Sequence, residues 1–395
     1  MKTKFLLDPN ITFLNHGSFG AVPREVFAVY QQWQRTLENQ PVRLLGRKLP
    51  SELRAVKSAL GSVLNANPEN LLLISNVTFG LNLAARSLNL QSGDEILTTT
   101  HEYGACLNTL KYLAHKSGAR LVQQPVSMPL KSPEDVIEEI WSGVSPKTRL
   151  LFLSHITSPT ASRFPVAQLC RRANRAGILS IIDGAHAPGQ LEIDLAEINA
   201  DIYMGNCHKW MLSPRGAGFL YAGSAVQAIL EPLVVSWGWN VDTPATPEMG
   251  LLENLQWTGT YDPSAFLSIP AAIDFQRKHN WINVHMSAQE TLSRFLHRFS
   301  ESFNIPIAYT PEADPYIQMA VLLLPPIKDP EKFQNQLWCK YAIEIPCIEW
   351  QEHQFLRVSY QVYNTEADLD RLFSAIEDLM PSFLTTSSHT KSGSL

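Results

Sequence analysis

With 395 residues, 45% of them hydrophobic, the chain is long enough for a large core and for two domains. Lysine and arginine total 32 against 37 acidic residues, a formal charge of −5 that gives no basic footprint for nucleic acid. No apolar stretch approaches the roughly 20 residues of a membrane span, the first apolar run is too short for a secretory signal, and the five cysteines show no CxxC spacing. We therefore expect a cytoplasmic enzyme without a zinc knuckle or disulfide framework.

In chain order, "NLLLIS" (70–75) reads as a strand and "FGLNLAARSL" as a helix; "DEILTT" (94–99) is a strand and "GACLNTLKYLAHKSG" a helix. "RLLFLSH" (149–155), the helix "VAQLCRRANRAG", and the strands "ILSIID" (178–183), "ADIYMGN" (200–206) and "GAGFLYA" (216–222) follow. The second and third helices end in glycine where a C-cap belongs. Strand–helix alternation predicts an α/β layer with a largely parallel sheet and helices on both faces. From 264 on, one long helical segment, "SAFLSIPAAIDFQRKHN", leads to the strands "IQMAVLLLP" and "HQFLRVSY" and the helix "EADLDRLFSAIEDL". The expected division is a large α/β domain (16–264), a smaller α+β domain (1–15 and 265–383) and a disordered polar tail (384–395).

Parallel sheets bind ligands at the carboxyl ends of their strands. Asp183 and Lys209 both lie at such ends, 209 − 183 = 26 residues apart. A lysine there is a candidate Schiff-base former, and a carboxylate is suited to keep a pyridinium nitrogen protonated. By spacing alone, the structural reading, a turn aspartate and a solvated strand-end lysine, is the favoured one.

The order "LNHGSFG", "HEYGA", "IIDGAHAPG", "GNCHKWMLSPRGAGFLYA" changes the balance. It resembles the class V aminotransferase-like branch of fold type I pyridoxal-phosphate enzymes, and within it the isopenicillin N epimerase-like group. The resemblance runs from "FLNHGSFGAVP" to "LRVSYQVYNTEADLDRL" and implies pyridoxal 5'-phosphate as cofactor. By that resemblance Lys209 tethers the cofactor and carries protons at the substrate Cα, and Asp183 pairs with the ring nitrogen. His186, where many relatives have glutamine, hydrogen-bonds the ring 3-oxygen; His208 lies beside the phosphate; Tyr103 stacks on the ring. Each histidine and tyrosine also has a plain packing alternative.

A phosphate needs backbone donors at a helix N-terminus, and "SNVTFGLNLAARSL" offers Val77 and Thr78, although Thr78 also reads as an N-cap. Asn206 matches a phosphate contact in relatives or is an ordinary strand-end residue. "QWTGTYDPSA" resembles the stretch that delivers a threonine, here Thr260, from a partner subunit, which implies a homodimer with shared sites.

Arg357 in "FLRVSYQVYNT" stands where the family places its α-carboxylate clamp, a job suited to a planar fork. Arg43 and Arg215 are candidates for a distal carboxylate, Asn15 and His16 for the entrance, and His155 for the ring or substrate. Cys347 lies only 357 − 347 = 10 residues before Arg357, too close for the mobile persulfide-carrying loop of cysteine desulfurases. No metal motif and no Ser-His-Asp array is present.

The implied reaction is epimerisation or racemisation at Cα of an amino acid or amino-acid-containing peptide. A C–S lyase acting on a cysteine derivative and a class V aminotransferase are the alternatives. A binding module that retains the pocket is a third class, against which the intact Asp183–Lys209–Arg357 set argues.

Overall fold

The computed structural model describes residues 1–239, 252–309 and 317–384. Its centre is a seven-stranded sheet: β1 (Leu71–Ile74), β2 (Glu95–Thr99), β3 (Arg120–Gln124), β4 (Thr148–Ser154), β5 (Leu179–Gly184), β6 (Ile202–Asn206) and β7 (Gly218–Ala222). The spatial order is β1-β7-β6-β5-β4-β2-β3. Only β7 runs antiparallel to its neighbours. Nearly every residue of β1, β2, β5 and β6 is buried, as expected for strands covered on both faces.

Six of the seven strands are those read from the sequence. The seventh, β3, is RLVQQ at the sheet edge, exposed or half-buried throughout. A polar edge strand carries no apolar run, so the periodicity that marks the others is missing.

The helices that flank and position the site are α1 (Arg24–Asn39), α2 (Leu49–Leu64), α3 (Val77–Ser87), α4 (Gly104–Ser117), α5 (Val166–Arg175), α6 (Ile269–Lys278), α7 (Trp281–Phe303), α8 (Pro330–Tyr341) and α9 (Glu366–Phe383). The long helical segment expected over 264–280 is divided: Ser264–Leu267 forms one turn and α6 begins after Ser268 with Pro270 in its first turn. A proline there lacks the N–H that a continuous helix would use. The second sheet consists of β8 (Met319–Leu324), β9 (Cys347–Trp350) and β10 (His353–Ser359), antiparallel in the order β9-β10-β8. Thr12–Phe13 pairs in parallel with Ile343–Glu344, tying the N-terminal segment to this part of the chain. Residues 385–395 of the expected tail lie outside the described residues.

Two glycines decide how the segment after β6 is held. Gly20 has φ +70°, and a Cβ on it would sit 2.0 Å from the His208 carbonyl oxygen. Gly189 has φ +89°, and its Cβ would fall 2.3 Å from the Trp210 carbonyl. The "LNHGSFG" and "DGAHAPG" stretches thus press backbone to backbone on residues 208–210 from two directions. Neither position tolerates a side chain, by sterics or by φ. Gly20→Ala is expected to lower stability by at least roughly 1–2 kcal/mol from the backbone conformation alone, with the clash added. Thermal unfolding checks this; an unchanged melting temperature would contradict the packing.

Candidate active site

The carboxyl ends of β4, β5 and β6 and the start of α3 meet at one edge of the large sheet, and Lys209 follows β6 by three residues. Its carbonyl accepts hydrogen bonds from His16 Nε2 (3.0 Å) and from the Leu212 N–H (3.0 Å). Its Nζ lies 3.2 Å from His186 Nε2. Burial, and next the positive field of Arg357, lower the Lys209 pKa to about 8, against the opposing pull of Asp183 and Cys106. An amine at about 8 has a substantial neutral fraction near neutral pH, which a nucleophile needs.

Asp183, at the end of β5, is 3% exposed. Its Oδ1 accepts from the Ala185 N–H (2.8 Å) and its Oδ2 from the Cys106 thiol (3.3 Å). Burial raises its pKa; these two donors and the Lys209 charge oppose the rise. A buried carboxylate with only neutral hydrogen-bond donors is matched to a cationic ring N–H.

His186 is buried. Its Nδ1 accepts from the Trp210 indole N–H at 3.2 Å, and burial, reinforced by the charges of Lys209 and Arg357, pushes its pKa well below the usual range. Its loop is fixed from behind: Gln190 Nε2 donates to the His186 carbonyl (2.7 Å), while Trp281 Nε1 and His285 Nε2 hold the Gly189 carbonyl at 3.1 and 2.7 Å.

Arg357, on β10, is 4% exposed. Its Nη1 donates to the Ser158 carbonyl (2.6 Å) and Ser158 Oγ (3.0 Å), and its Nη2 to Ser18 Oγ (3.2 Å). Ser18 in turn donates to Asn15 Oδ1 (2.5 Å), and Asn15 Nδ2 to Glu344 (2.9 Å). The buried Nε–H has no hydrogen-bond partner. Neutral acceptors therefore orient the guanidinium without neutralising it. Burial lowers its pKa only to about 10, so it remains charged.

At the start of α3 the N-cap is Asn76, whose side chain accepts from the Phe79 N–H (2.9 Å). The expectation that Thr78 caps the helix is thereby corrected; Thr78 stands one residue inside the helix. Asn206 Oδ1 accepts from the Val77 N–H (3.0 Å) and so fastens α3 to the end of β6. The Val77 and Phe79 N–H groups are thus held by the Asn206 and Asn76 side chains and the Gly80 N–H by the Asn76 carbonyl, so Thr78 is the residue of the first turn left as a candidate anion donor. His208 donates through Nδ1 to the Ala217 carbonyl (2.9 Å); burial, followed by Lys209 and Arg215, lowers its pKa to about 4. Tyr103 is 48% exposed at the N-cap of α4, within electrostatic reach of Arg357 and not a core residue.

Other candidates fall elsewhere. His16 does not line an entrance: it is fully buried, with Nε2 on the Lys209 carbonyl and Nδ1 on the Tyr363 hydroxyl (3.0 Å). Burial holds its pKa near 3, so its role is to support the Lys209 backbone. Asn15 likewise spends its amide on Ser18 and Glu344. His155 is removed from the ring: its Nδ1 pairs with the Tyr203 hydroxyl (2.9 Å). Tyr203 belongs to the core on one face of the sheet, and Cys106, beside Asp183, to the core on the other. Arg215 is exposed and donates to the Phe19 and Gly20 carbonyls (3.4 and 3.2 Å), at the margin of the site; Arg43 is exposed on the turn Pro41–Arg43. Thr260 is also exposed, after Gly259 at φ +117°. Cys347 lies in β9, its thiol pushed up to about 12 by burial.

Four contributors escaped the sequence reading: Cys106, Ser18, Ser158 and Trp210. Three stood inside quoted motifs, but no single-sequence signal says what a side chain meets dozens of residues away. Glu102 is a further contributor, and it is buried. It accepts from Thr99 (2.7 Å) and twice from Ser154 (2.9 and 2.5 Å), and burial raises its pKa to about 7.

Residues 18–372 match the family described as aminotransferase class-V. The chain belongs to that family. It is similar to isopenicillin N epimerase of Amycolatopsis lactamdurans, at 36% identity over 94% of this chain and 96% of that one. The same enzyme of Streptomyces clavuligerus is 32% identical over 95% and 96%. A probable chloroplastic L-cysteine desulfhydrase of Arabidopsis thaliana is 25% identical over 94% and 84%. Among solved structures, the cystine C-S lyase C-DES, in complex with its product cysteine persulfide, matches with TM-score 0.80 at 21% identity, covering 95% of this chain and 99% of that one. A C-DES mutant with glycine linked to its PLP cofactor matches at 0.82, 20% identity, 96% and 99%. The architecture is that of the fold type I enzymes, and the cofactor of this family is pyridoxal 5'-phosphate. The donor set fits that group: the buried Asp183 carboxylate, an amine of lowered pKa and a helix N-terminus. Among the described residues no helix is long and apolar enough to cross a membrane, and no cluster of possible metal ligands occurs.

The field of Arg357 on Lys209 makes a prediction. The rate at which cofactor-free protein condenses with added pyridoxal phosphate is expected to rise with pH through about 8, because only the neutral amine reacts. Arg357→Met removes a positive neighbour, so the midpoint should move upward. A midpoint that stays put or moves down would show that Arg357 does not act on the amine.

Proposed function

We propose that this chain is an amino-acid epimerase of the isopenicillin N epimerase type, acting at Cα of an amino acid or of an amino-acid-containing peptide. The observation that carries this reading is the likeness to two such epimerases at 32–36% identity over nearly the whole of each chain. The Lys209, Asp183 and Arg357 environments are consistent with it.

Bound pyridoxal phosphate supplies an electron sink that weakens the bonds at the substrate Cα. The rest is assigned to the chain. Asp183 stays ionised against the ring N–H and keeps the sink cationic. His186 donates to the ring 3-oxygen. Thr78, at the start of α3, forms the phosphate end with Asn206 and His208. The Arg357 guanidinium receives the α-carboxylate and so sets which bonds of Cα face Lys209. Lys209, neutral near its pKa of about 8, takes the Cα proton. Inversion needs a return proton on the other face, and Tyr103 is the ionisable side chain assigned to it. In a homodimer, Thr260 of each chain would complete the phosphate site of the other, and the exposed position of Thr260 supports that reading. The division into a large domain at 16–264 and a small one at 1–15 and 265–383 is part of the proposal, with Arg357 contributed by the small one.

The second reading, a C–S lyase, is favoured by the similarity to a cysteine desulfhydrase. Incubation in deuterated water separates the two. Epimerisation predicts deuterium at Cα and interconversion of diastereomers of an α-aminoadipyl peptide, without keto acid or pyruvate. Stoichiometric pyruvate, ammonia and thiol from a cysteine conjugate would establish the lyase instead.

Arg357→Lys is expected to lose roughly 2–5 kcal/mol of substrate binding, felt in kcat/KM, because an ammonium cannot reproduce the fork. Unchanged kinetics would dismiss the clamp. For the dimer, mixing inactive Lys209→Ala and Thr260→Ala chains should restore part of the activity; a fully active monomer would refute shared sites.

A further inference from the structure

His186 has two nitrogens with fixed roles. Trp210 Nε1 is a donor and never an acceptor, so at 3.2 Å from His186 Nδ1 it requires that nitrogen to carry the lone pair. A neutral imidazole has one proton, which then sits on Nε2, the atom 3.2 Å from Lys209 Nζ. We propose that Trp210 is a positioning residue: its indole N–H locks His186 as the Nε2–H tautomer, so that the imidazole is a permanent donor toward the space in front of Lys209.

The indole is placed to do this. Trp210 is fully buried and packs at a tilt against His16, with ring centroids 4.9 Å apart and planes at 54°. Its carbonyl is held by Gln276 Nε2 (2.7 Å), and Gly189 abuts its backbone from the other side. The backbone of His186 is separately fixed by Gln190, so both rings extend from anchored backbone. The charged groups facing His186 are Lys209 and Arg357, with His16 beyond, and all three disfavour an imidazolium.

Two consequences follow. An ammonium on Lys209 would meet a donor where it needs an acceptor, so the lock favours the neutral, reactive amine. Second, the oxygen on a bound pyridine ring meets a donor in every protonation state of the pocket. A histidine thus does the work of a glutamine amide without the freedom to flip. Unlike the epimerase reading, this inference rests only on the cofactor pocket; an epimerase and a lyase would give the same result.

The test uses full-length protein with bound cofactor, 15N-labelled at histidine and tryptophan, with His186→Gln identifying the His186 signals. From about pH 6 to about pH 9, Nδ1 should give the signal of an unprotonated ring nitrogen and Nε2 that of a protonated one. A scalar coupling should connect the Trp210 indole nitrogen to His186 Nδ1 across the hydrogen bond. In Trp210→Phe, a measurable Nδ1–H population should appear. A protonated Nδ1 in the unsubstituted protein, or an absent coupling, would overturn the proposal, as would a folded Trp210→Phe that keeps the single Nε2–H form. If that variant does not fold, the coupling in the unsubstituted protein decides.

Discussion

Two cations share one buried pocket. Lys209 and Arg357 stand in each other's field, and burying either charge costs several kcal/mol unless something compensates. The pocket resolves the conflict asymmetrically. Arg357 stays charged because the Ser158 carbonyl and two hydroxyls replace its lost water. Lys209 Nζ lies against the His186 ring, and burial and the Arg357 charge prevail over the pull of Asp183, so the amine moves toward neutrality. The lowered amine and the charged guanidinium are therefore two sides of one electrostatic constraint.

The fold keeps that arrangement from relaxing. Lys209 sits on a short turn between β6 and β7, gripped by the backbones at Gly20 and Gly189, and its own carbonyl is tied to His16. These contacts join the N-terminal segment, the end of β5 and the end of β6. Asn206 adds α3 to the same junction. A shift in any one of them changes where the amine points.

Much of this was legible in the sequence. Apolar runs marked six of seven strands, because parallel strands buried on both faces must be apolar. Asp183 and Lys209 were found from their strand-end positions and the motif around them. The missing strand, β3, is polar because it is an edge, and the break before α6 was hidden in an otherwise continuous helical pattern. The histidines were hardest. A buried His16 and a ligand-binding His16 have the same letter, and only its partner Tyr363, 347 positions away, distinguishes them. His155 failed for a related reason: the pleat turns its side chain to the face opposite Asp183, and one residue of register is enough to do that. Trp210 read as a neighbour of the lysine, although its indole acts on His186.

The central claim is that Lys209 carries the cofactor, with every other group arranged around it. Borohydride reduction of the purified protein followed by peptide mapping tests it most directly. The account predicts one pyridoxyl group per chain, on the peptide that contains Lys209. Reproducible labelling of a different lysine would contradict it.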